Sequence, residues 1–243
     1  MGQLNFDDVV ASANFTGTGV TSGNPDIEPQ QAWVSEVSLE QRFWGDAAVV
    51  LTYRHFALRD AIDRGPDPSG AFDAPANIGS GTKDEWVANL TLPLDRLKIR
   101  GGQVRGQVTW RDSEVADPTT GEAREISNLR PLEWEASFTQ DVPTLRMTWG
   151  VDAFGGWRQT SYRFNSIDTT KLKTYVRPFV EWRAQTDLTV RAEIPNVTSR
   201  GLRRTRQVFD GARSAGEAPV RIEDRDYQFG RMYYVRIRKT FGA

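Results

Sequence analysis

Apolar and polar residues alternate through Trp134–Trp157, WEASFTQDVPTLRMTWGVDAFGGW. Trp134, Ala136 and Phe138, then Leu145, Met147, Trp149, Val151 and Ala153 fall on one side. Glu133, Glu135, Ser137, Thr139 and Asp141, then Arg146, Thr148 and Asp152 fall on the other. A period of two is the signature of strands, and the DVPT between the two runs is turn chemistry. The stretch therefore predicts a hairpin with one apolar and one charged face.

The same reading predicts ten strands: Leu4–Phe15, Gln31–Trp44, Ala47–Ile62, Thr82–Leu94, Leu97–Ser113, Leu132–Asp141, Leu145–Arg158, Leu172–Ala184, Leu188–Val197 and Tyr227–Phe241. Several exceed the five or six residues usual in soluble strands and reach the length of a strand crossing a bilayer. Helical periodicity is nearly absent. Short connections (Gly45–Asp46, DR, DVPT and QTD) alternate with long ones (Thr16–Gln30, Asp63–Gly81, Glu114–Pro131, Gln159–Lys171 and Thr198–Asp226). In an up-and-down meander this sorts every short turn to one end, as in outer-membrane barrels. The fold class expected is all-β, an antiparallel up-and-down transmembrane β-barrel segment forming one domain over residues 1–243.

Aromatic placement supports the same expectation. Trp33 and Phe43 share a face ten residues apart, roughly 33 Å along a strand. At a tilt of ~40° that is roughly 25 Å of height, the thickness of an apolar membrane band. Trp86, Trp110, Trp134, Trp149, Tyr233 and Phe241 sit near strand ends in the same way, as an interfacial girdle would. A soluble sandwich with its Trp residues in the core stays open, but the mixed charges of the polar faces suit a wet lumen.

Composition changes little. Net charge is −1 and mean hydropathy is −0.54, so nothing draws the chain toward nucleic acid. With no cysteine and a single histidine, thiolate and multi-histidine metal sites are excluded. No apolar run is long enough for a membrane helix. The N-terminus MGQLNFDDVV has neither the basic nor the apolar region of a signal peptide, and it reads as the start of a piece of something longer.

Candidate chemistry is sparse. Glu133 and Glu135, about 6.8 Å apart on one face, form a weak glycosidase pair and more simply a polar strand face. His55 with Asp60 or Asp63 lacks the serine elbow of a triad. Asp60, Asp63, Asp67 and Asp73 lie among Gly and Pro where hard oxygens can gather around calcium, or where turns simply form. Arg200, Arg203, Arg204 and Arg206 lie in a long connection and suit lipopolysaccharide phosphate or an anionic ligand, or are a solvated basic stretch. The Asn-Xaa-Thr sites at Asn14, Asn89 and Asn196 are chance matches if the source is bacterial. No cofactor and no enzymatic activity are expected.

The segment SGNPDIEPQQAWVSEVSLEQRFW (Ser22–Trp44) resembles the GNPxLxPE-type segment of TonB-dependent outer-membrane receptors. YYVRIRKTF (Tyr233–Phe241) resembles their closing strand, and DLTVRAEIPNVTSR (Asp187–Arg200) the strand before it; LPLDRL, DSEVADPTTGEAR and FTQDVP are also similar to segments of large members. The resemblance spans essentially the whole chain. It implies the C-terminal part of a 22-stranded barrel in the bacterial outer membrane, surrounded by lipid and lipopolysaccharide. It implies a parent protein that imports a scarce ligand, of the siderophore, cobalamin or sugar class. The plug, the N-terminal barrel half and the TonB-contacting region are not in this sequence, so import is expected of the parent. Two alternatives stay open: a soluble all-β binding module or hydrolase domain, and a self-contained ten-stranded outer-membrane barrel.

Overall fold

The computed structural model describes residues 13–16, 19–67 and 72–241. Nine long strands run as an antiparallel meander in which each pairs with its neighbour in sequence. They are β3 (Gln31–Phe43), β4 (Ala47–Arg59), β7 (Gly81–Pro93), β8 (Gly102–Ala116), β10 (Leu132–Val142), β11 (Met147–Phe154), β14 (Tyr175–Gln185), β15 (Leu188–Glu193) and β18 (Tyr234–Lys239). β9 (Ala123–Arg124) pairs with the far end of β8. Each of the nine corresponds to an expected strand, whereas β9 lies in the expected connection Glu114–Pro131; the expected strand at Leu4–Phe15 falls largely outside the described residues, which begin with β1 (Ala13–Thr16).

Short connections join the strands at one end. Trp44 and Gly45 take positive φ in the first, and Lys98 and Arg146 close single 3-10 turns at Asp95–Leu97 and Pro143–Leu145. The long connections at the other end differ from expectation, because they contain strands of their own. β2 (Gly19–Ser22), β5 (Ile62–Pro66) and β6 (Asp73–Asn77) join β1 in one four-stranded sheet. β12 (Trp157–Tyr162), β13 (Ser166–Leu172), β16 (Gly201–Val208) and β17 (Arg221–Gln228) form another in which each strand extends a long strand below it.

Cross-strand registers fix which side chains share a face. Tyr53 lies opposite Trp86, which lies opposite Trp110, which lies opposite Leu132. Below them Leu51, Ala88, Val108 and Trp134 form a row. Leu92, Val104, Phe138, Val151 and Pro178 form another, and Trp149, Val180, Ala192 and Val235 form the next row on the same face, which reaches the last strand. One face of the sheet is therefore apolar across all nine strands.

Nothing covers that face among the described residues. Trp33 is 76% exposed, Trp86 55% and Trp110 61%, and Val37, Leu39, Trp149, Trp182, Val235 and Ile237 are exposed as well. The buried apolar side chains are Ala47, Leu58, Ala61, Ala74, Leu94, Val115 and Phe209, and the core cluster of Leu58, Ala61 and Val115 sits at the long-connection end. A sandwich would pack a second sheet on the apolar face about 10 Å away; here the sheet is a single layer. It is also not closed: β3 and β18 are its two edges, each paired on one side only. Among the described residues the all-β antiparallel meander is present, and barrel closure is not.

Candidate functional site

The polar face carries a ladder of alternating charge. Register places Glu36, Arg54, Glu85 and Arg111 side by side on β3, β4, β7 and β8. Arg54 donates to Glu36 and, at 3.0 Å, to Glu85. Arg111 donates to the other Glu85 oxygen at 2.8 Å and to Glu133 of β10 at 2.5 Å. Arg130 completes the series with a 2.8 Å bond to Glu133. Charge-assisted bonds of this kind are short and directional, so the row fixes five strands in register.

The ladder ends at a cavity of about 620 Å³ lined by residues of β8, β10, β11, β12 and β14 and by Arg200. Arg130 stacks on Trp157 at 4.1 Å and Arg200 on Tyr175 at 4.8 Å, while Phe154 and Tyr175 pair at 5.7 Å. Arg177 is held by Asp152 through bonds of 3.1 and 2.8 Å.

Two glycines and one asparagine position these groups. Phe154 and Trp157 both line the cavity although they are three positions apart, which strict alternation would put on opposite faces, so the alternation slips between β11 and β12. A Cβ on Gly155 would lie 2.5 Å from the indole of Trp134, and one on Gly156 2.5 Å from the carbonyl oxygen of Leu172. Only glycine fits the slip. Asn196 is fully buried with φ of 59°; it donates to the carbonyls of Phe229 and Gly230 and accepts the Arg200 amide at 2.8 Å. Asn tolerates this left-handed conformation better than most residues, and the bend it makes brings Arg200 over Tyr175.

The expected site residues are distributed as follows. Of the paired glutamates, Glu133 is neutralised by Arg111 and Arg130, whereas the Glu135 side chain lines the cavity with no hydrogen bond or ion pair among the described residues. His55 meets neither Asp60 nor Asp63; its Nδ1 lies 2.8 Å from Asp84, whose same oxygen accepts the Tyr53 hydroxyl. Trp33, Trp86, Trp110, Trp134 and Trp149 are brought onto the apolar face by register, and Phe43 pairs there with Ala47 at the short-turn end. Tyr233 and Phe241 flank β18 and are exposed.

The four aspartates are not gathered, and no group of three or more acidic, His or Cys residues able to hold a metal occurs among the described residues. Asp60 takes φ of 51° at a turn, and Asp67 accepts the Phe72 amide. Asp63 and Asp73 are engaged with arginine: Arg124 reaches Asp63 at 2.8 Å and Arg163 approaches Asp73 at 3.9 Å. The basic stretch is likewise mostly spent. Arg203 pairs with Asp224 at 3.1 Å, Arg204 with Asp168 at 3.0 Å and Arg206 with Asp168 at 4.0 Å. Only Arg200 faces the cavity.

Sequence reasoning missed the ladder, Trp157 and the role of Asn196. The GG before Trp157 is the signal that marks the slip. No protein-family model, no curated protein and no solved structure matches this chain.

Proposed function

We propose that the chain is part of the wall of an outer-membrane barrel of the TonB-dependent receptor type, a transport protein and not an enzyme. The observation that carries the reading is the uncovered apolar face continuous over nine strands. Exposed apolar patches on water-soluble monomers are rarely larger than a few hundred Å². A face of nine strands needs a solvent that is itself apolar, and lipid is that solvent. The opposite face suits an aqueous lumen, because its charges are paired with one another across strands.

Topology adds a constraint. An odd number of meander strands leaves both edges running the same way, from the long-connection end to the short-turn end. Antiparallel closure therefore needs an odd number of further strands. Thirteen complete the 22-stranded barrel of the resemblance, with plug, TonB contact and scarce-ligand uptake belonging to the parent. One completes a ten-stranded barrel, which is the second reading. Open edges are untenable in lipid, where each backbone group must be paired.

The test is fractionation of the source cell with an antibody against this chain. A heat-modifiable outer-membrane band several times larger than 27.4 kDa supports the receptor, and one near that mass supports the small barrel. A soluble protein at high concentration overturns both.

A further inference from the structure

We propose that the cavity between the ladder and Arg200 binds a neutral oligosaccharide. The proposal rests on the polar face being the lumen of a transport barrel, and it names the substrate class.

Three features of the cavity carry it. The first is shape and size: about 620 Å³ lies within the 300–1,000 Å³ typical of small-molecule sites. The second is its aromatic wall. Phe154, Trp157 and Tyr175 line one cavity, and the glycine slip that turns Trp157 toward it leaves no room for any other residue. Aromatic rings offer apolar planes to the C–H faces of a pyranose, and Tyr and Trp also keep a polar handle.

The third feature is charge. Four guanidinium groups line the cavity, those of Arg111, Arg130, Arg177 and Arg200. Four carboxylates answer them: Glu133 and Glu135 in the lining, Glu85 bound to Arg111, and Asp152 bound to Arg177. An anionic metal chelate would call for several unpaired cations, and among the described residues Arg200 is the one lining guanidinium without a carboxylate partner. What remains is a dense set of fixed donors and acceptors around a neutral space. Glu133 is already locked between two arginines, so its orientation is set before any ligand arrives. Glu135 and the Arg200 guanidinium have no ion-pair partner among the described residues, and Gln107 and Thr109 add an amide and a hydroxyl beside them. Vicinal hydroxyls, each both donor and acceptor, satisfy such a mixed set. Pre-ordered groups lower the entropy lost on binding.

The assignment divides the work. Trp157 and Tyr175 supply the ring faces not taken by Arg130 and Arg200, Glu135 accepts from sugar hydroxyls, and Arg200 donates to a ring or hydroxyl oxygen. Arg111, Arg130 and Arg177 act as positioning groups, holding carboxylates in place.

The test is calorimetry on the full chain, purified from outer membranes in lauryldimethylamine oxide. The probes are maltotriose, cellotriose, xylotriose and chitotriose, with ferric tris-catecholate as the anionic comparison. Saturable binding of at least one trisaccharide is expected. Trp157→Ala should raise its Kd at least tenfold and Glu135→Gln several-fold, while Trp182→Ala on the apolar face leaves it unchanged. Glu135 has no partner to lose, so its variant reads the site even where Trp157→Ala fails to fold. Binding of none of the four trisaccharides, binding insensitive to Glu135→Gln, or preference for ferric tris-catecholate overturns the proposal. A chain that gives any of these results yet fractionates with the outer membrane keeps the barrel reading, whereas a soluble chain fails the barrel reading itself.

Discussion

Arg213 Nη2 lies 2.6 Å from Asp117 Oδ2, across 96 residues of sequence, and Arg124 Nε reaches the same oxygen at 2.8 Å. Arg124 also holds Asp63 at 2.8 Å, and Arg213 Nε donates to the Arg163 carbonyl at 2.6 Å. The ring of Tyr162 lies against both guanidiniums, at 4.6 and 5.9 Å. The side chains of Asp117, Asp63, Arg124 and Arg213 are all buried. One buried ionic node thus ties four of the long connections together. Removing one partner leaves a buried charge unanswered, at a cost of about 3–5 kcal/mol. Arg213→Ala is therefore expected to loosen this end while leaving the sheet intact. Hydrogen exchange should show β12 and β13 losing protection while β4, β7 and β8 keep theirs. Arg213→Lys should not rescue, because one ammonium cannot span both acceptors.

The same end carries two aspartates whose pH responses have opposite sign. Burial alone would push Asp117 up, but hydrogen bonds from Arg213 and the Thr119 and Thr120 amides hold it below the ordinary 3.8. Its contribution to stability is present above the unfolded value and is lost as pH falls through the folded one. Asp73 goes the other way: burial raises it above 3.8, and the Phe164 amide and Arg163 only partly offset this. Its contribution is full below the unfolded value and is lost as pH rises through the folded one. Asp117→Asn is expected to flatten the acid-side loss of protection below about pH 4. Asp73→Asn should instead raise protection at neutral pH, since the amide oxygen still accepts from Phe164 without burying a charge.

Position along the charge ladder should decide what each member is worth. Glu85 is bound by both Arg54 and Arg111 and its side chain is 11% exposed, whereas Glu36 at the edge of the sheet is 49% exposed. Exposed pairs contribute about 0–1 kcal/mol, and unpairing a buried one costs about 3–5 kcal/mol. Glu85→Ala should therefore lower the urea midpoint clearly and Glu36→Ala hardly at all. Equal effects would mean that the ladder acts as separate surface pairs.

How much of this was legible in the sequence depends on which pattern each element follows. Nine long strands and their faces are readable because alternation with period two is local and strong, as in Leu132–Val142. The strands at the long-connection end are not, because they alternate between polar residues and other polar residues. GLRRTRQV of β16 looks like a solvated basic stretch until RIEDRDYQ of β17 is laid beside it, pairing Arg203 with Asp226 and Arg206 with Glu223 in register. Complementarity between segments twenty residues apart carries no periodicity. The ladder is hidden for the same reason, since Glu36, Arg54, Glu85 and Arg111 meet only once register is known. Asp63 and Asp73 mislead in the opposite direction: acidic residues among Gly and Pro look like cation ligands, and here arginines from distant connections occupy them.

Neighbouring residues of β7 separate a lipid-facing sheet from a soluble one. Leu90 lies on the apolar face, in a row with Val49 and Gly106, and Asn89 lies on the polar face, in a row with Val50 and Gln107. In a bilayer, arginine on the lipid face near the midplane costs about 2–4 kcal/mol, while lumen positions tolerate charge. Leu90→Arg is therefore expected to lower folding stability in phospholipid vesicles by about that amount, and Asn89→Arg to change it little. Urea titration of vesicle-folded protein, followed by the heat-dependent shift in electrophoretic mobility, measures both. The contrast is one of direction as well as size. If the apolar face met water, Leu90→Arg would remove a half-buried apolar group and improve solubility, and the two variants would behave alike. A loss confined to Leu90→Arg assigns lipid to that face, and a gain there withdraws it.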